Sequence, residues 1–508
     1  MDPDSRNTRR IAKNTLMLYV RMLVLMLVGL YTSRVVLASL GENDFGIYDV
    51  IGGVVAMFTI ISGALNSAIT RFITFEMGKE DENRLNKVYS AAVLIQFALA
   101  VIVVALAEPV GLWFIDNRMT IAPERIPAAV MVLHFSLASF VINLMSVPQM
   151  ASITAHEKMS AYAYIGLLDG LLRLGVAFLI SRSSADRLVL YAALMMVTVL
   201  VVRSAYGLYC RKNFPECRFR RVRDLSLIKE MFSFAGWNFI GVSSGVLRDQ
   251  GGKILVNLFA GTAVNAARGV AMQLNGAVQG FVTNFMTAVN PQITKSYASG
   301  DHGYMFYLIS KSSRMSYFLL YILALPVLFN TEYILDLWLK DVPDHSALFV
   351  RLFLVYTLSE SLSNPLVTAQ LATGKIRNYQ LVVGGLQLLN IPVSYAFLKM
   401  GAMPEVTVMV AIAVSQICLF ARLFMLKGMI ALPSGEFLRK VYLNVAGVTA
   451  LSLVLPLAVC RYIPDGFMGF MANVALCICS AAASVLTAGL SRGERRELLS
   501  MLKKTLKR

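Results

Sequence analysis

Apolar stretches of about 20 residues or longer follow one another along this chain almost without interruption. A helix needs roughly that length to cross a hydrocarbon core about 30 Å thick. Lipid offers the backbone no hydrogen-bond partners, so only helices and closed barrels can span it. The stretches also lack the alternation of polar and apolar residues that is typical of barrel strands. The sequence therefore predicts an all-α polytopic membrane protein.

The apolar stretches predict about 14 transmembrane helices, and this even number places both chain ends on one side of the membrane. The predicted spans are residues 14–38, 45–70, 87–115, 126–152, 160–180, 188–210, 229–258, 262–288, 311–331, 346–372, 378–399, 405–426, 438–460 and 467–490. With 57% hydrophobic and 15% charged residues, the chain has too few charges for a soluble protein of 508 residues. The loops are too short to hold a catalytic domain, so we expect no enzyme activity.

The basic residues indicate the orientation of these spans. With the termini inside, 33 Lys and Arg residues fall on inside segments, Arg422 among them, and 8 fall on outside segments. Lys and Arg are enriched in cytoplasmic loops, so both termini are predicted to be cytoplasmic. The net charge of +17 is explained by these loops and tails, and no nucleic-acid partner is expected.

One stretch of sequence occurs twice. "VPQMASITAHEKMSAY" (147–162) returns as "NPLVTAQLATGKIRNY" (364–379), and "LWFID" (112–116) returns as "LWLKD" (337–341). The first two copies keep four residues at identical spacing, namely Pro148, Ala155, Lys158 and Tyr162, then Pro365, Ala372, Lys375 and Tyr379. Their offset covers six spans, so both copies have the same orientation in the membrane. This predicts a parallel repeat of two six-helix bundles.

The predicted fold class is thus two parallel six-helix repeats with a V-shaped central cavity, plus two extra C-terminal helices. The predicted domains are 1–210 (first bundle), 211–228 (basic cytoplasmic linker), 229–426 (second bundle), 427–490 (two added helices) and 491–508 (basic cytoplasmic tail).

Polar side chains inside the spans provide the candidate binding residues. In span 8, Arg268, Asn275 and Gln279 share one helix face, and this amide-rich stripe favours a water-filled cavity over helix packing. Arginines deep in a bilayer usually face a cavity or a partner, and their planar guanidinium suits phosphate. The predicted substrate-binding residues are Arg21, Arg248, Arg268, Asn275 and Gln279.

Three further charges are candidates for coupling or for the cavity wall: Asp49, Asp249 and Lys253. Two of them have a second interpretation, because Asp249 and Lys253 stand four residues apart and can neutralise each other. Snorkelling towards the membrane surface is the alternative for Arg21 and Arg268, which lie nearer to span ends than Arg248.

The sequence gives no indication of a cofactor, a metal site or a catalytic residue. Its six cysteines lack metal-ligand spacing, its four histidines form no cluster, and its "GK" dipeptides lack the preceding glycine of a phosphate-binding loop.

Two segments resemble the Wzx-type polysaccharide flippases of the multidrug/oligosaccharidyl-lipid/polysaccharide exporter superfamily. They are "GLYTSRVVLASLGENDFGIYDVIGGVVAMF" (29–58) and "FAGWNFIGVSSGVLRDQGGKILVNLFAGTAVNAARGVAMQLNGAVQGFVTNF" (234–285). The resemblance implies a bacterial inner-membrane protein that moves an undecaprenyl-pyrophosphate-linked oligosaccharide, the repeat unit of an O-antigen, capsule or exopolysaccharide. Lipid bilayer, this substrate and other polysaccharide-assembly membrane proteins are the partners it implies. The related lipid II flippases have cavity arginines on spans 1 and 8, where Arg21 and Arg268 occur here.

Other functions remain as alternatives. A cation-coupled multidrug antiporter of the same superfamily would use acidic groups, for which Asp49 is the candidate. A membrane glycosyltransferase would require a large loop with acidic or histidine catalytic groups, and a structural protein would leave the polar stripes unexplained.

Overall fold

The computed structural model describes residues 3–56, 59–117, 119, 121–222, 224–339, 341–464 and 466–496. Within these residues the secondary structure is entirely helical. The first eight helices are α1 (Pro3–Ala56), α2 (Thr59–Gly78), α3 (Glu82–Asn117), α4 (Ile126–Met145), α5 (Val147–Ala155), α6 (Met159–Arg182), α7 (Arg187–Asn213) and α8 (Leu225–Ala298).

The second part of the chain contributes nine further helices within the described residues. They are α9 (His302–Phe329), α10 (Thr331–Trp338), α11 (Ser346–Ala372), α12 (Arg377–Leu388), α13 (Asn390–Lys399), α14 (Val406–Ile430), α15 (Ser434–Phe437), α16 (Asn444–Val459) and α17 (Phe467–Ser484). Short π-helical segments, Leu438–Leu443 and Val485–Gly489, precede α16 and follow α17.

Twelve helical segments in the described residues are long and apolar enough to cross a membrane, and the chain is a multi-pass membrane protein. One of them, α8, is 74 residues long and contains both predicted spans 7 and 8. The predicted span 45–70 runs across the end of α1 and the start of α2, and its residues 57 and 58 lie outside the described residues. The predicted tail likewise lies outside them from 497 onward.

The predicted two-repeat helical fold is confirmed, and the repeat extends to individual backbone angles. Gly41 bends α1 with φ 78° and ψ 168°, and Gly261, 220 positions later, bends α8 with φ 82° and ψ −177°. These angles are accessible essentially only to glycine, which has no Cβ. The same bend is therefore encoded twice by the same residue type.

The duplicated turn found in the sequence is also duplicated in structure. Helix α5 ends at Ala155 and α6 begins at Met159, while α11 ends at Ala372 and α12 begins at Arg377. Each turn has one residue with positive φ, Glu157 in the first and Gly374, 217 positions later, in the second. Prolines inside helices repeat at the same offset, as Pro109 in α3 and Pro326 in α9.

Contacts between helices divide the chain into two units, Ile11–Phe239 and Ile240–Arg508, the second taken together with Met1–Arg10. In the first unit α4 packs against α3 and α7, and a cluster of buried side chains that includes Ile51, Val103 and Leu133 fills the space between them. In the second unit α11 packs against α9 and α14, while α17 packs against α16 and α9. The predicted domain boundaries themselves stay predictions.

Candidate functional site

Arg268 is held in a niche formed by the first half of α8 and by α11. The reversal of α8 at Gly261 places it beside Gly252, where an added Cβ would lie 3.0 Å from Nη2. The Nη2 group donates a hydrogen bond to the backbone carbonyl of Asp249 at 3.3 Å. The guanidinium carbon lies 5.5 Å from the centre of the Phe353 ring. Glycine at position 252 thus leaves the room that the guanidinium occupies.

The Arg268 side chain retains unused hydrogen-bond donors. The residue is 4% exposed, and its Nε and Nη1 atoms have no hydrogen-bond partner among the described residues. A buried donor without a partner costs about 1–3 kcal/mol, more when it is charged. A planar guanidinium can give two parallel hydrogen bonds to one phosphate or carboxylate. The niche therefore has the chemistry to bind an anionic group.

Arg248 and Asp249 form an ion pair between neighbouring residues in α8. The Nε and Nη2 atoms of Arg248 lie 3.0 and 2.9 Å from Oδ1 of Asp249. The guanidinium carbon lies 5.1 Å from the centre of the Tyr356 ring on α11. Asp249 thus pairs with Arg248, and no ion pair between Asp249 and Lys253 occurs among the described residues. The structure therefore brings Arg248, Asp249 and Arg268 together.

The amide side chains along α8 lie in two environments: some pack against α11, and one is exposed. Asn275 is buried, and its Oδ1 accepts a hydrogen bond from the Thr357 hydroxyl of α11 at 2.7 Å. Gln279, one turn later, is exposed. Asn290, near the end of the same helix, accepts from Thr368 at 2.8 Å. One side of the stripe therefore joins α8 to α11, which is the helix-packing interpretation, while Gln279 is available to a ligand.

Arg21 lies in the unit Ile11–Phe239, against α6. Its guanidinium carbon is 4.4 Å from the centre of the Tyr162 ring. A Cβ added at Gly166 would overlap its Nε atom, which is buried and has no hydrogen-bond partner among the described residues. Arg21 thus packs flat between an aromatic ring and a glycine.

The remaining two predicted charges are exposed and have no ion pair within the described part of the chain: Asp49 lies on α1 and Lys253 on α8. Asp169 and Arg173 of α6, by contrast, form an ion pair with a separation of 3.1 Å between Nε and Oδ2. Residues four apart lie on one face of a helix, which brings these two charges together.

Sequence reasoning missed a second charged pair in the C-terminal unit. Glu360 lies one turn after Tyr356 on α11, and its Oε1 is 4.0 Å from Nη1 of Arg422 on α14. Arg422 is 2% exposed, and its Nε donates a hydrogen bond to the Tyr379 hydroxyl at 3.5 Å. The sequence did carry a signal, because Glu360 is a lone acid in the middle of the apolar span 346–372.

The structure also corrects the placement of Arg422. It had been counted with an inside segment, but it is buried within α14, four residues before Leu426. The acid of a neighbouring helix and the Tyr379 hydroxyl provide partners for its charge, which a count of basic residues cannot detect.

A groove of about 900 Å³ lies in the same unit among α9, α11, α14 and α16. Most of its wall is aliphatic or aromatic. The Tyr442 hydroxyl on the wall donates to Oε1 of Gln416 at 2.9 Å, and Tyr317 shares a hydrogen bond with Thr449 at 2.9 Å. The one cation of the described wall, Arg351, is paired with Glu332 at 2.7 Å. Such a lining suits an apolar chain better than a charged group.

Solved structures with the same fold include transporters described as members of the MOP superfamily. A multidrug resistance MATE family transporter in an outward-facing conformation superposes with a TM-score of 0.70 at 12% identity, over 84% of this chain and 97% of that one. A MATE structure in the bent conformation gives 0.70 at 10% identity, over 83% and 96%. A transporter of the MOP superfamily from Pyrococcus furiosus, described as having a binding pocket of reverse polarity, gives 0.68 at 12% identity, over 82% and 96%. At these identities the likeness establishes the fold.

Sequence comparison adds the family. The uncharacterized membrane protein EpsK of Bacillus subtilis (strain 168) is 22% identical over 299 residues, and this match spans 57% of each protein. Residues 11–297, more than half of the chain, match the family described as "Polysaccharide biosynthesis protein". The chain therefore belongs to the polysaccharide biosynthesis protein family, and its fold is that of the MATE transporters.

Proposed function

We propose that this protein moves an undecaprenyl-pyrophosphate-linked oligosaccharide across the bacterial inner membrane, from the cytoplasmic to the periplasmic leaflet, by alternating access. The single observation that carries the proposal is the niche of Arg268, a buried guanidinium with two unused donors beside Gly252. Family membership supports the glycan, and the superfamily fold supports transport.

In this proposal Arg268 binds the pyrophosphate, because charge-assisted bidentate hydrogen bonds compensate for the water that the phosphates lose. Arg248 keeps its ion pair with Asp249 and contributes positive potential beside the niche. Arg21 provides a second cation in the other unit. Gln279, exposed on α8, hydrogen-bonds sugar hydroxyls, and Asn275 holds α8 against α11. Both chain ends lie in the cytoplasm, as the positive-inside rule requires.

The groove of about 900 Å³ gives the polyprenyl chain a place beside the transported headgroup. Its aliphatic and aromatic wall takes up methylene and methyl groups at a favourable free energy of roughly 0.8 kcal/mol for each CH₂ removed from water. The tail need not cross the protein interior, since it is already soluble in lipid.

The cation-coupled antiporter is not favoured by this charge arrangement. An organic cation requires an unpaired acid, yet Asp249 is paired with Arg248 and Glu360 faces Arg422. Asp49 is the acid that would support the antiporter. Retained export in an Asp49→Asn variant is therefore expected.

The test of the proposal is Arg268→Ala in a strain that lacks the chromosomal copy. Loss of one charge-assisted contact of about 1.5–3 kcal/mol corresponds to a roughly ten- to hundredfold fall in binding. We expect lipid-linked oligosaccharide to accumulate, as measured by mass spectrometry of extracted lipids, while surface glycan disappears. Arg268→Lys should restore export in part, because it keeps the charge and loses the fork.

Arg182→Ala is the matched control, because Arg182 is exposed at the end of α6. All variants must reach the membrane at equal levels by immunoblot. Normal surface glycan in Arg268→Ala at an equal level of protein would contradict the proposal.

A further inference from the structure

A second pocket in the C-terminal unit has a chemistry unlike that of the apolar groove. It is a cleft of about 690 Å³, which we call the basic cleft, and it is lined by the start of α9, by the segment that leads into α16 and by the chain that follows α17. Three membrane-spanning helices, α9, α16 and α17, each have one end at this cleft. Ends of membrane-spanning helices are expected near the lipid headgroups of a bilayer.

Cations outnumber acids in the lining of the basic cleft. Among the described residues of the lining, Lys311, Arg314, Arg439 and Lys440 contribute four positive charges, and Glu436 and Glu494 contribute two negative ones. The pair between Lys440 and Glu436 is exposed and four residues apart on one helix, and such pairs stabilise by only about 0.3–0.5 kcal/mol. An incoming anion can therefore replace Glu436 as the partner of Lys440 at little cost in free energy.

Arg314 gives the basic cleft a fixed donor. Its Nη1 donates to the carbonyl of Gly489 at 3.0 Å, and its Nη2 lies 2.8 Å from Oε1 of Glu494. The Nε atom is buried and has no hydrogen-bond partner within the described residues. These two bonds also tie α9 to the end of the second added span.

The other walls of the cleft are apolar and aromatic. Phe306 and Tyr307 of α9 face it, together with Phe437 and Leu490 of the added spans. The Tyr307 hydroxyl accepts a hydrogen bond from the Lys311 ammonium at 3.0 Å. A free phosphate ion makes no use of such walls, whereas the glycerol and first methylenes of a phospholipid do. Basic pockets between membrane helices bind anionic headgroups by this combination.

We propose that the basic cleft binds the headgroup of an anionic phospholipid of the phosphatidylglycerol or cardiolipin class. The phosphate lies among Lys311, Arg314 and Arg439, and the acyl chains extend along the added spans. Bound there, the lipid joins α9 to the segment that leads into α16, next to the existing link from Arg314 to Gly489. This proposal is independent of the flippase activity, since the residues differ from those of the Arg268 niche.

The test is native mass spectrometry of the full-length protein in detergent, titrated with phosphatidylglycerol and, separately, with phosphatidylethanolamine. The variant Lys311→Gln/Arg439→Gln removes two cations and keeps all four residues of the pairs Arg314–Glu494 and Lys440–Glu436. At about fivefold for each basic residue near a headgroup, we expect phosphatidylglycerol binding to weaken roughly thirtyfold. The control Arg211→Gln/Lys212→Gln removes the same charge from the exposed end of α7 and should bind as wild type does.

Three results would overturn the proposal. Equal binding of phosphatidylethanolamine and phosphatidylglycerol by the wild type would show that no anion is selected. Wild-type affinity in the cleft variant would place the lipid elsewhere. Displacement of phosphatidylglycerol by millimolar inorganic phosphate would assign the cleft to a free anion instead of a lipid.

Discussion

Each of the two units holds one arginine against a glycine and an aromatic ring. In the first unit Arg21 lies on Gly166 with the Tyr162 ring at 4.4 Å, and in the second Arg268 lies on Gly252 with a ring at 5.5 Å. Both Nε atoms are buried without a hydrogen-bond partner among the described residues. The units thus offer two similar niches, one on each side of the duplication.

The difference between the niches lies in what fixes the guanidinium. Arg268 donates one hydrogen bond, at 3.3 Å, to the backbone of Asp249, which is itself paired with Arg248, so a hydrogen bond and nearby charges help to set its position. Arg21 is positioned by the ring and the glycine. A niche fixed by hydrogen bonds keeps its geometry when a ligand arrives, whereas one fixed by packing depends on the shape of its walls.

A second pair of equivalent positions shows how the duplicated halves diverged. In the first half, Arg203 of α7 donates from Nε to Oδ1 of Asn143 at 2.7 Å. In the second half, Arg422 faces Glu360. Arg422 stands 219 positions after Arg203, and Glu360 stands 217 positions after Asn143. The helix pair and the arginine are kept, while a neutral amide in one half stands where the other has an acid.

This divergence predicts the largest effect on stability. Arg422→Ala leaves Glu360, whose side chain is 22% exposed, without its counter-charge, and breaking such a pair on one side costs at most the roughly 3–5 kcal/mol of a fully buried one. Arg203→Ala removes the hydrogen bond to Asn143, worth about 1.5–3 kcal/mol because the donor is charged, and a weaker one to the sulfur of Met150. We therefore expect a larger fall in the thermal unfolding midpoint for Arg422→Ala, measured on both purified variants in one detergent. Equal falls would mean that the acid of the second half contributes nothing specific.

The double variant Arg422→Ala/Glu360→Ala sharpens this comparison. If the lone carboxylate causes the extra loss, removing it should recover part of the midpoint, as double-mutant cycles detect for residues in contact. A double variant that is less stable than Arg422→Ala would point to Tyr379 and the helix packing as the source of the loss.

The two glycines predict an intermediate effect, on transport. A Cβ at Gly166 overlaps Arg21, so Gly166→Ala forces the side chain to move, whereas the contact at Gly252 is 3.0 Å and needs a shift of a few tenths of an ångström. Small misplacements of a binding group can reduce rates by up to about a hundredfold. We expect initial rates in proteoliposomes to fall roughly tenfold in Gly166→Ala and about threefold in Gly252→Ala. Gly207→Ala is the control, because no atom lies within 4 Å of its added Cβ.

Rates equal to that of the control in both glycine variants would show that the exact position of the arginines does not limit transport. A larger loss for Gly252→Ala would reverse the comparison of the niches and make the hydrogen-bonded one the more sensitive.

The repeat and the all-α fold followed from the sequence because they depend on patterns that a single chain displays. Spans are set by apolar length, and the copied turn at 147–162 keeps its residues. The predicted spans 229–258 and 262–288 place a break at Gly261, but its backbone angles did not follow, since the φ of an isolated glycine is set by how the flanking helices pack. Asp249 had two possible partners on its own helix, the i, i+4 residue Lys253 and its neighbour Arg248, and the structure pairs it with Arg248.

The environments of the buried arginines could also be predicted only in part. Their presence in the spans predicted partners or a cavity, and the structure provides partners for Arg248 and leaves donors of Arg268 unused. The spacing of residues along α8 could not distinguish Arg248 from Arg268. The difference depends on contacts made in the folded protein, with the backbone of Asp249, with Gly252 and with α11.

One more pair of equivalent turns differs between the two halves, and both turns lie outside the predicted spans. Asp81 accepts a hydrogen bond from Arg84 N at 2.9 Å at the start of α3, and Asp301, 220 positions later, accepts from Tyr304 N at 3.0 Å at the start of α9. Just before these caps the first half has Glu76, and the second has Ser296 at the same offset; both are buried. A titratable group therefore stands in one turn and a neutral one in the other.

Glu76 predicts the smallest effect, a dependence of stability on pH. Burial raises the pKa of Glu76 above its ordinary value of 4.5, although the cation of Arg84, 3.1 Å away, opposes the rise. The folded state then binds the proton more tightly than the unfolded state, so this contribution is fully present below pH 4.5 and is lost as pH rises through the folded-state pKa. We expect the thermal midpoint of the wild type to fall over that range, and Glu76→Gln to remove this part of the slope. Glu80→Gln, an exposed acid of the same turn, is the control, and an unchanged slope in Glu76→Gln would assign the pH dependence to another group.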